Sequence, residues 1–214
     1  MKMKKWKIDC VIYDCDGVLF DSLEQNRKLY DHIATSTGRA VLTDEEINFC
    51  HSHTVYESIH YVFRDNEDLE KQAVDYWKNN INFADFIPYL KMEPNLMEIL
   101  TQLKEKGITR AISTNRTTSM KHVMEAYGLY PYFDMVVTAL DVENPKPHPE
   151  SVEKILKMFN LNREGVLFIG DSDVDRKTAR SSGVKFIAYK NEELEADGFI
   201  DDHLNLLAFL SNGH

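Results

Sequence analysis

The sequence predicts an α/β fold, a parallel sheet wrapped by helices, with a helical segment inserted after the first strand. Three observations predict it. Short runs rich in β-branched and aromatic residues, near-continuously apolar as strands buried on both faces are, fall at residues 8–13, 109–114, 133–138, 166–170 and 184–189. Each of the last four follows a stretch whose apolar residues recur at helical spacing, the alternation that builds a parallel sheet. Residues 21–92 break this rhythm, with helical periodicity and no convincing strand.

The first strand, residues 8–13, ends at an Asp/Gly turn. Leu23, Tyr30, Ile33 and Ala34, then Leu69, Ala73, Tyr76 and Trp77, set the helical period of the insertion. A crossover between parallel strands needs only about a dozen residues, so an insertion several times that length points to a function, such as a lid over the core. The expected division is a core of residues 1–20 and 93–214 with a cap of residues 21–92. In the core, Leu96, Ile99, Leu100 and Leu103 keep helical spacing after Pro94 and stop at Gly107; Met120, Val123, Met124 and Tyr127 stop at Gly128; Val152, Ile155, Leu156 and Phe159 repeat the pattern. The acidic run at 192–202 reads as solvated surface.

At 214 residues, 43% hydrophobic and 28% charged, the chain has the composition of an ordinary globular protein, large enough for one core carrying a smaller inserted domain. Twenty-five basic against thirty-five acidic side chains leave a net charge of −10, a field that repels polyphosphate backbones and anionic headgroups. Nucleic acid and membrane are therefore not expected partners, and an anionic substrate needs a cation or a cluster of donors to be received. Cys10, Cys15 and Cys50 are an odd number without zinc-ligand spacing, which favours a reducing compartment, the cytoplasm. The basic start is followed by Asp9, Asp14 and Asp16 rather than by a long apolar run, so no export signal or membrane span is expected.

Chemistry gathers where the predicted strands end. Asp14-Cys15-Asp16-Gly17-Val18 puts two carboxylates on one tight loop at the carboxyl edge of the sheet, the edge at which open α/β sheets bind ligands. Two like charges so close favour a cation between them or a proton on one. The run 168–170 leads into Asp171-Ser172-Asp173-Val174-Asp175, acids again at a strand end; Asp14 and Asp171 can share a hard cation, and oxygen ligands without paired His or Cys point to Mg²⁺. Ser172 or Asp171 as a helix N-cap is the structural alternative. Ile112-Ser113-Thr114-Asn115-Arg116 offers hydroxyls and N–H groups at a helix start, a place for a phosphate or simply a cap. Asn144-Pro145-Lys146-Pro147-His148-Pro149-Glu150 holds one Lys in a stiffened loop.

Taken in order, Asp14-x-Asp16-Gly17-Val18, Thr114-Asn115, Lys146-Pro147-x-Pro149-Glu150 and Gly170-Asp171-x-x-x-Asp175 resemble the four motifs of haloacid dehalogenase-like phosphatases. The insertion resembles the helical cap of the phosphoglycolate phosphatase and β-phosphoglucomutase branch. The resemblance implies a Rossmann-like core beneath that cap. It implies Asp14 as the nucleophile that forms an aspartyl-phosphate and Asp16 as the acid/base. Mg²⁺ would be held by Asp14, the Asp16 carbonyl and Asp171, with Asp175 holding water or orienting its neighbours. Thr114, the Asn115 N–H and Lys146 would receive the transferring phosphoryl oxygens. Cys15 between the two aspartates departs from the usual apolar residue and is expected to act as a small buried hydrophobe; Asp173, an extra acid, is expected in the first turn of a helix.

The expected activity is a Mg²⁺-dependent phosphatase acting on a small phosphorylated metabolite, by a monomer or weak homo-oligomer. A phosphomutase using the same two aspartates is the nearest alternative. Asp16 and the need for a metal argue against a dehalogenase, and a cap lysine for phosphonate hydrolysis is not identifiable. A phosphoacceptor signalling module is disfavoured by the length and the insertion. In the cap, His51, His53 and Thr54 form a polar stretch that either closes over the site and sets substrate selectivity or serves the cap's own structure, Thr54 as a helix cap.

Overall fold

The structure, a computed structural model, describes residues 5–211. In chain order the elements are β1 (Cys10–Tyr13), β2 (Phe20–Asp21), α1 (Leu23–Ser36), α2 (Asp44–Ser52), α3 (Val55–Phe63), α4 (Glu67–Asn80), β3 (Lys91–Met92), α5 (Leu96–Glu105), β4 (Thr109–Ser113), α6 (Ser119–Ala126), β5 (Met135–Val137), α7 (Glu150–Phe159), β6 (Val166–Gly170), α8 (Asp173–Ser182), β7 (Lys185–Tyr189) and β8 (Gly198–Ile200). Two compact units result, one of residues 1–20 and 92–214 and one of residues 21–91.

The larger unit is a six-stranded, wholly parallel sheet in the order β5-β4-β1-β6-β7-β8. Because side chains alternate along a strand, Cys10 and Ile12 enter a core with Ala111, Val137, Phe168 and Phe186, closed by Val152, Ile155 and Leu156 of α7 and Ala179 of α8. On the sheet's other side α5 packs on β4 and on the tight helical turn His203–Ala208. Leu96, Ile99, Leu100 and Leu103, the apolar stripe of α5, are fully buried; each such side chain contributes roughly 1.5–3 kcal/mol relative to exposure. α7 ends where Asn160 turns left-handed (φ 51°), and α8 where Gly183 does (φ 66°), releasing the chain into the next strand.

The smaller unit has its own core, in which Leu29, Tyr30, Ile33 and Ala34 of α1 meet Ile47, Ile59, Val62, Phe63 and Ala73. Its helices α2, α3 and α4 begin at side-chain caps: Thr43 with Glu46 and Thr54 with Glu57 form reciprocal capping boxes, and Asn66 caps α4. Among the described residues no helix is long and apolar enough to cross a membrane.

Three expectations need correction. The run at 192–202 is not all solvated surface, since it contains β8, a three-residue edge strand whose Ile200 is buried beside β7. The stretch 21–92 is not free of strand either: Asp21 belongs to β2 and Lys91–Met92 form β3, and these two-residue strands pair with each other. Both were too short to show a period. β5 is also shorter than the expected 133–138, because Asp134 turns its carboxylate onto Arg110, accepting from its backbone N–H and guanidinium at 2.8 Å each.

Candidate active site

β1 lies between β4 and β6, with Tyr13 level with Ile112 on one side and Ile169 on the other. In-register parallel strands end together, so the loops after residues 13, 113 and 170 open at one edge. Asp14 is the first residue past β1; its N–H donates to Ile169 O at 2.9 Å, and its side chain is buried. From β4, Thr114 continues the ladder by donating to Val137 O at 3.0 Å. From β6 the chain passes through Asp171 into α8, which Ser172 caps by accepting from the Asp175 N–H.

Lys146 reaches this edge from the loop before α7. Its ammonium, almost fully buried, sits 2.8 Å from Asp14 Oδ1 and 2.6 Å from Asp175 Oδ1. The backbone around it is fixed by Asn115, whose side-chain amide donates to Lys146 O at 2.9 Å and accepts from Lys146 N at 3.0 Å. Sequence reading gave Asn115 only a backbone N–H role; its side chain ties the second motif to the third.

The loop after Asp14 is tight: Leu19 and Phe20 both donate to Cys15 O, and Gly17 donates to Phe20 O at 2.8 Å. Gly17 has φ +73°, and a Cβ built there would stand 1.9 Å from Asp171 Oδ2. The Asp171 carboxylate therefore rests against bare backbone, an approach only glycine permits. Cys15 is buried as expected, and burial pushes its thiol well above the ordinary range, which disfavours the thiolate.

Carboxylate oxygens of Asp14, Asp171 and Asp175 lie within 4.8 Å of one another. Burial raises the Asp14 carboxyl above its ordinary range, with Asp175 adding to the rise and Lys146 opposing it. Asp171 is raised for the same leading reasons, burial first and Asp175 next. Burial works against the charge on Lys146, but Asp14 and then Asp175 outweigh it and hold the ammonium above its ordinary value. One cation among three crowded acids, Asp14 and Asp175 buried and Asp171 half-buried, is outnumbered by the carboxylates around it. A hard divalent cation fits this donor set, which is all oxygen. Asp14 and Asp171 are the acids that could hold one, since both oxygens of Asp175 are already occupied, one by Lys146 and the other by the Ser172 hydroxyl at 2.6 Å.

Asp16 lies beyond this cluster, about a quarter exposed, gripped by a residue that sequence reading quoted without a role. Arg116 donates from Nε to Oδ2 at 2.7 Å and from Nη2 to Oδ1 at 2.5 Å, a bidentate fork on the Asp16 carboxylate. The one signal for Arg116 was its place directly after Thr114-Asn115. Asp173 is exposed on the first turn of α8, paired with Arg176 and Lys177, and stands apart from the acid cluster.

The cap residues are engaged within the smaller unit. Asn26 Nδ2 lies 3.0 Å from His51 Nδ1. His53 stacks on Phe49 with ring centroids 3.8 Å apart and bonds the Phe49 carbonyl through Nδ1. Thr54 starts α3: its hydroxyl accepts from the Glu57 N–H and donates to the Glu57 carboxylate at 2.7 Å.

Comparison with known proteins finds relatives of this chain along nearly its whole length. Residues 11–189 match the family model described as haloacid dehalogenase-like hydrolase. A pyrophosphatase PpaX from Bacillus cereus is 27% identical over 96% of this chain and 98% of its own. A phosphoglycolate phosphatase from Rhodobacter capsulatus is 27% identical over 84% of this chain and 83% of its own. Among solved structures, a subfamily IA hydrolase from Geobacter sulfurreducens superposes with a TM-score of 0.82 at 36% identity, covering 99% of this chain and 100% of its own. With the family match running from β1 through β7, and so across each strand end that carries a site residue, the chain belongs to the haloacid dehalogenase-like hydrolases.

Proposed function

We propose that this phosphatase of the haloacid dehalogenase-like family is Mg²⁺-dependent and hydrolyses a small phosphorylated metabolite through an aspartyl-phosphate on Asp14. The observation that carries the reading is the position of Lys146, buried and in contact with Asp14 and Asp175 at once. A cation held there orients the Asp14 carboxylate and faces the oxygens of an arriving phosphoryl group.

Asp14 attacks phosphorus and the leaving oxygen departs on the opposite side. Asp16, two residues on, gives that oxygen its proton and then, as carboxylate, takes one from the water that cleaves the aspartyl-phosphate. The Thr114 hydroxyl, the Asn115 N–H and Lys146 receive the equatorial oxygens. Asp14, the Asp16 carbonyl and Asp171 would hold Mg²⁺, which when bound would supply the positive charge for a phosphate to approach so acidic a cluster. Relatives named for pyrophosphate and for phosphoglycolate support a small substrate. His51, His53 and Thr54 belong to this reading as the cap stretch that sorts substrates.

The test is a panel of phosphorylated metabolites assayed with Mg²⁺, free phosphate and isomerised product scored separately, on wild type and Asp14→Asn. Phosphate release that disappears in the folded Asp14→Asn variant, and on chelation of wild type, is expected. Asn keeps the volume, removes one of three crowded acids and leaves Lys146 its contact with Asp175, so melting should not fall. Turnover by Asp14→Asn near the wild-type rate sinks the mechanism; full activity in excess chelator after dialysis removes Mg²⁺ from it; isomerised product without phosphate makes the enzyme a mutase.

A further inference from the structure

Resting on the Mg²⁺-dependent reading, we propose that Asn191, which lies outside all four motifs, is a positioning residue for the metal site. By holding the Asp171 main chain it sets where the Asp171 carboxylate stands, and so how tightly the site binds Mg²⁺.

The acids of the cluster are held in different ways. Asp14 is in contact with Lys146, and Asp175 with Lys146 and the Ser172 hydroxyl. Among the described residues the Asp171 carboxylate has no hydrogen bond or ion pair of its own. Such a carboxylate is open to a metal, but no side chain fixes it, so its place follows from its backbone. Gly17 leaves room for it, since a Cβ there would stand 1.9 Å from Asp171 Oδ2. Asn191 supplies the hold: its Nδ2 donates to Asp171 O at 2.8 Å, across 20 positions of sequence. A partner that orients a ligand residue in this way tunes metal affinity without touching the metal.

The donor is itself secured. Asn191 Oδ1 accepts from the Glu193 N–H at 3.2 Å, which decides that the amide nitrogen faces Asp171. Lys190, just before it, takes a left-handed φ of 52°, a conformation that residues with a Cβ adopt rarely. Its N–H donates to Ile200 O at 2.8 Å, and its ammonium bonds Glu93, whose carboxylate also accepts from the Tyr189 hydroxyl at 3.0 Å. Unfavourable backbone pinned this firmly points to a task for the turn. The turn follows β7, which runs beside β6 with Ala188 level with Gly170, and it brings the Asn191 amide back to the residue after β6.

The experiment measures Mg²⁺ binding to the full, substrate-free chain, by titration calorimetry and by the rise in melting temperature that Mg²⁺ gives, for wild type and Asn191→Ala. Asn191→Asp, which keeps the shape and the acceptor for Glu193 but faces the Asp171 carbonyl with a second acceptor, serves in its place if Asn191→Ala does not melt cooperatively. Melting without Mg²⁺ should stay near that of wild type, while the Kd for Mg²⁺ should rise about 10-fold. Phosphate release from p-nitrophenyl phosphate should need correspondingly more Mg²⁺ and regain the wild-type kcat at saturation. Wild-type affinity for Mg²⁺ in the folded variant overturns the inference. A loss of kcat that saturating Mg²⁺ leaves in place overturns it too, and gives Asn191 a role in the fold alone. Folded wild type that binds no Mg²⁺ overturns the Mg²⁺-dependent reading, and this inference with it.

Discussion

A single hydrogen atom at Gly17 sets where Asp171 rests. In Gly17→Ala the new methyl meets the Asp171 carboxylate at a separation no real Cβ tolerates, and the backbone at φ +73° adds strain of about 1 kcal/mol. The Asp171 carboxylate must swing away from the methyl, because its backbone is held where Asn191 Nδ2 donates to its carbonyl at 2.8 Å. Activity is expected to drop by about 100-fold or more, with a weakened apparent affinity for Mg²⁺ and a melting temperature lowered by only a few degrees. A titration of activity against Mg²⁺ beside a thermal melt checks this; wild-type Mg²⁺ dependence in Gly17→Ala means that Asp171 is not a ligand. This scale was only partly legible in sequence. Asp14, Asp16 and Asp171 stood out as acids at strand ends, and Lys146 as the one Lys in a proline-stiffened loop. The Asp16–Arg116 pair did not, because its partners are 100 positions apart and Arg116 alone reads as an ordinary surface charge. The Asn115 clamp on Lys146 was hidden for the same reason, its bonds spanning 31 positions.

Elements distant from the acids hold the loop that carries them. The turn His203–Ala208 places His203, wholly buried, with Nε2 donating to Val18 O at 2.9 Å and its ring stacked on Tyr189 at 4.6 Å. Its Nδ1 is buried without a hydrogen-bond partner. Burial pushes the imidazole down to about 4, against the opposing pull of the Val18 bond, Glu93 and Asp202, with Lys190 reinforcing the neutral form. The folded state therefore binds fewer protons than the unfolded one between pH 6.5 and 4. Stability contributed by neutral His203 is present above 6.5 and lost as pH falls toward 4, by about 3 kcal/mol. Denaturant unfolding at pH 7.5, 5.5 and 4 should show this decline in wild type and a shallower one in His203→Gln; parallel declines in the two proteins assign the acid sensitivity to other groups. At this scale the sequence was most readable where a period had room to repeat. The stripes of α5, α6 and α7 and the apolar runs of β4, β6 and β7 each span enough residues to distinguish 3.6 from 2. Three-residue β8 and the final turn, short and set among acidic residues, offered too few positions for any period, and only pairing with β7 and burial of His203 define them.

Across the whole molecule the excess of negative charge works against its own substrate. With a Debye length of about 30 Å at 0.01 M salt and about 8 Å at 0.15 M, the field of the −10 surface reaches an approaching dianion only in dilute salt. Raising ionic strength over that range at saturating Mg²⁺ is expected to increase kcat/KM by a few-fold without changing kcat. Stopped-time assays at low substrate measure it, and a decrease instead means that the local cations Lys146 and Arg116 dominate the encounter. The division into two units was legible from the excess length of the insertion, whereas the order of strands was not, because nothing along a chain states which distant strand lies beside which. That order has a consequence in time as well as in space. Cys10 of β1 pairs directly with Val166 of β6, so a chain still being synthesised, or one cut short before β6, carries Asp14 without the neighbour strand that aligns it and without Asp171 or Asp175. Non-local pairing of this kind forms late. The cluster of Asp14, Asp171 and Asp175 therefore comes together only once β6 has paired with β1 and the first turn of α8 has followed it.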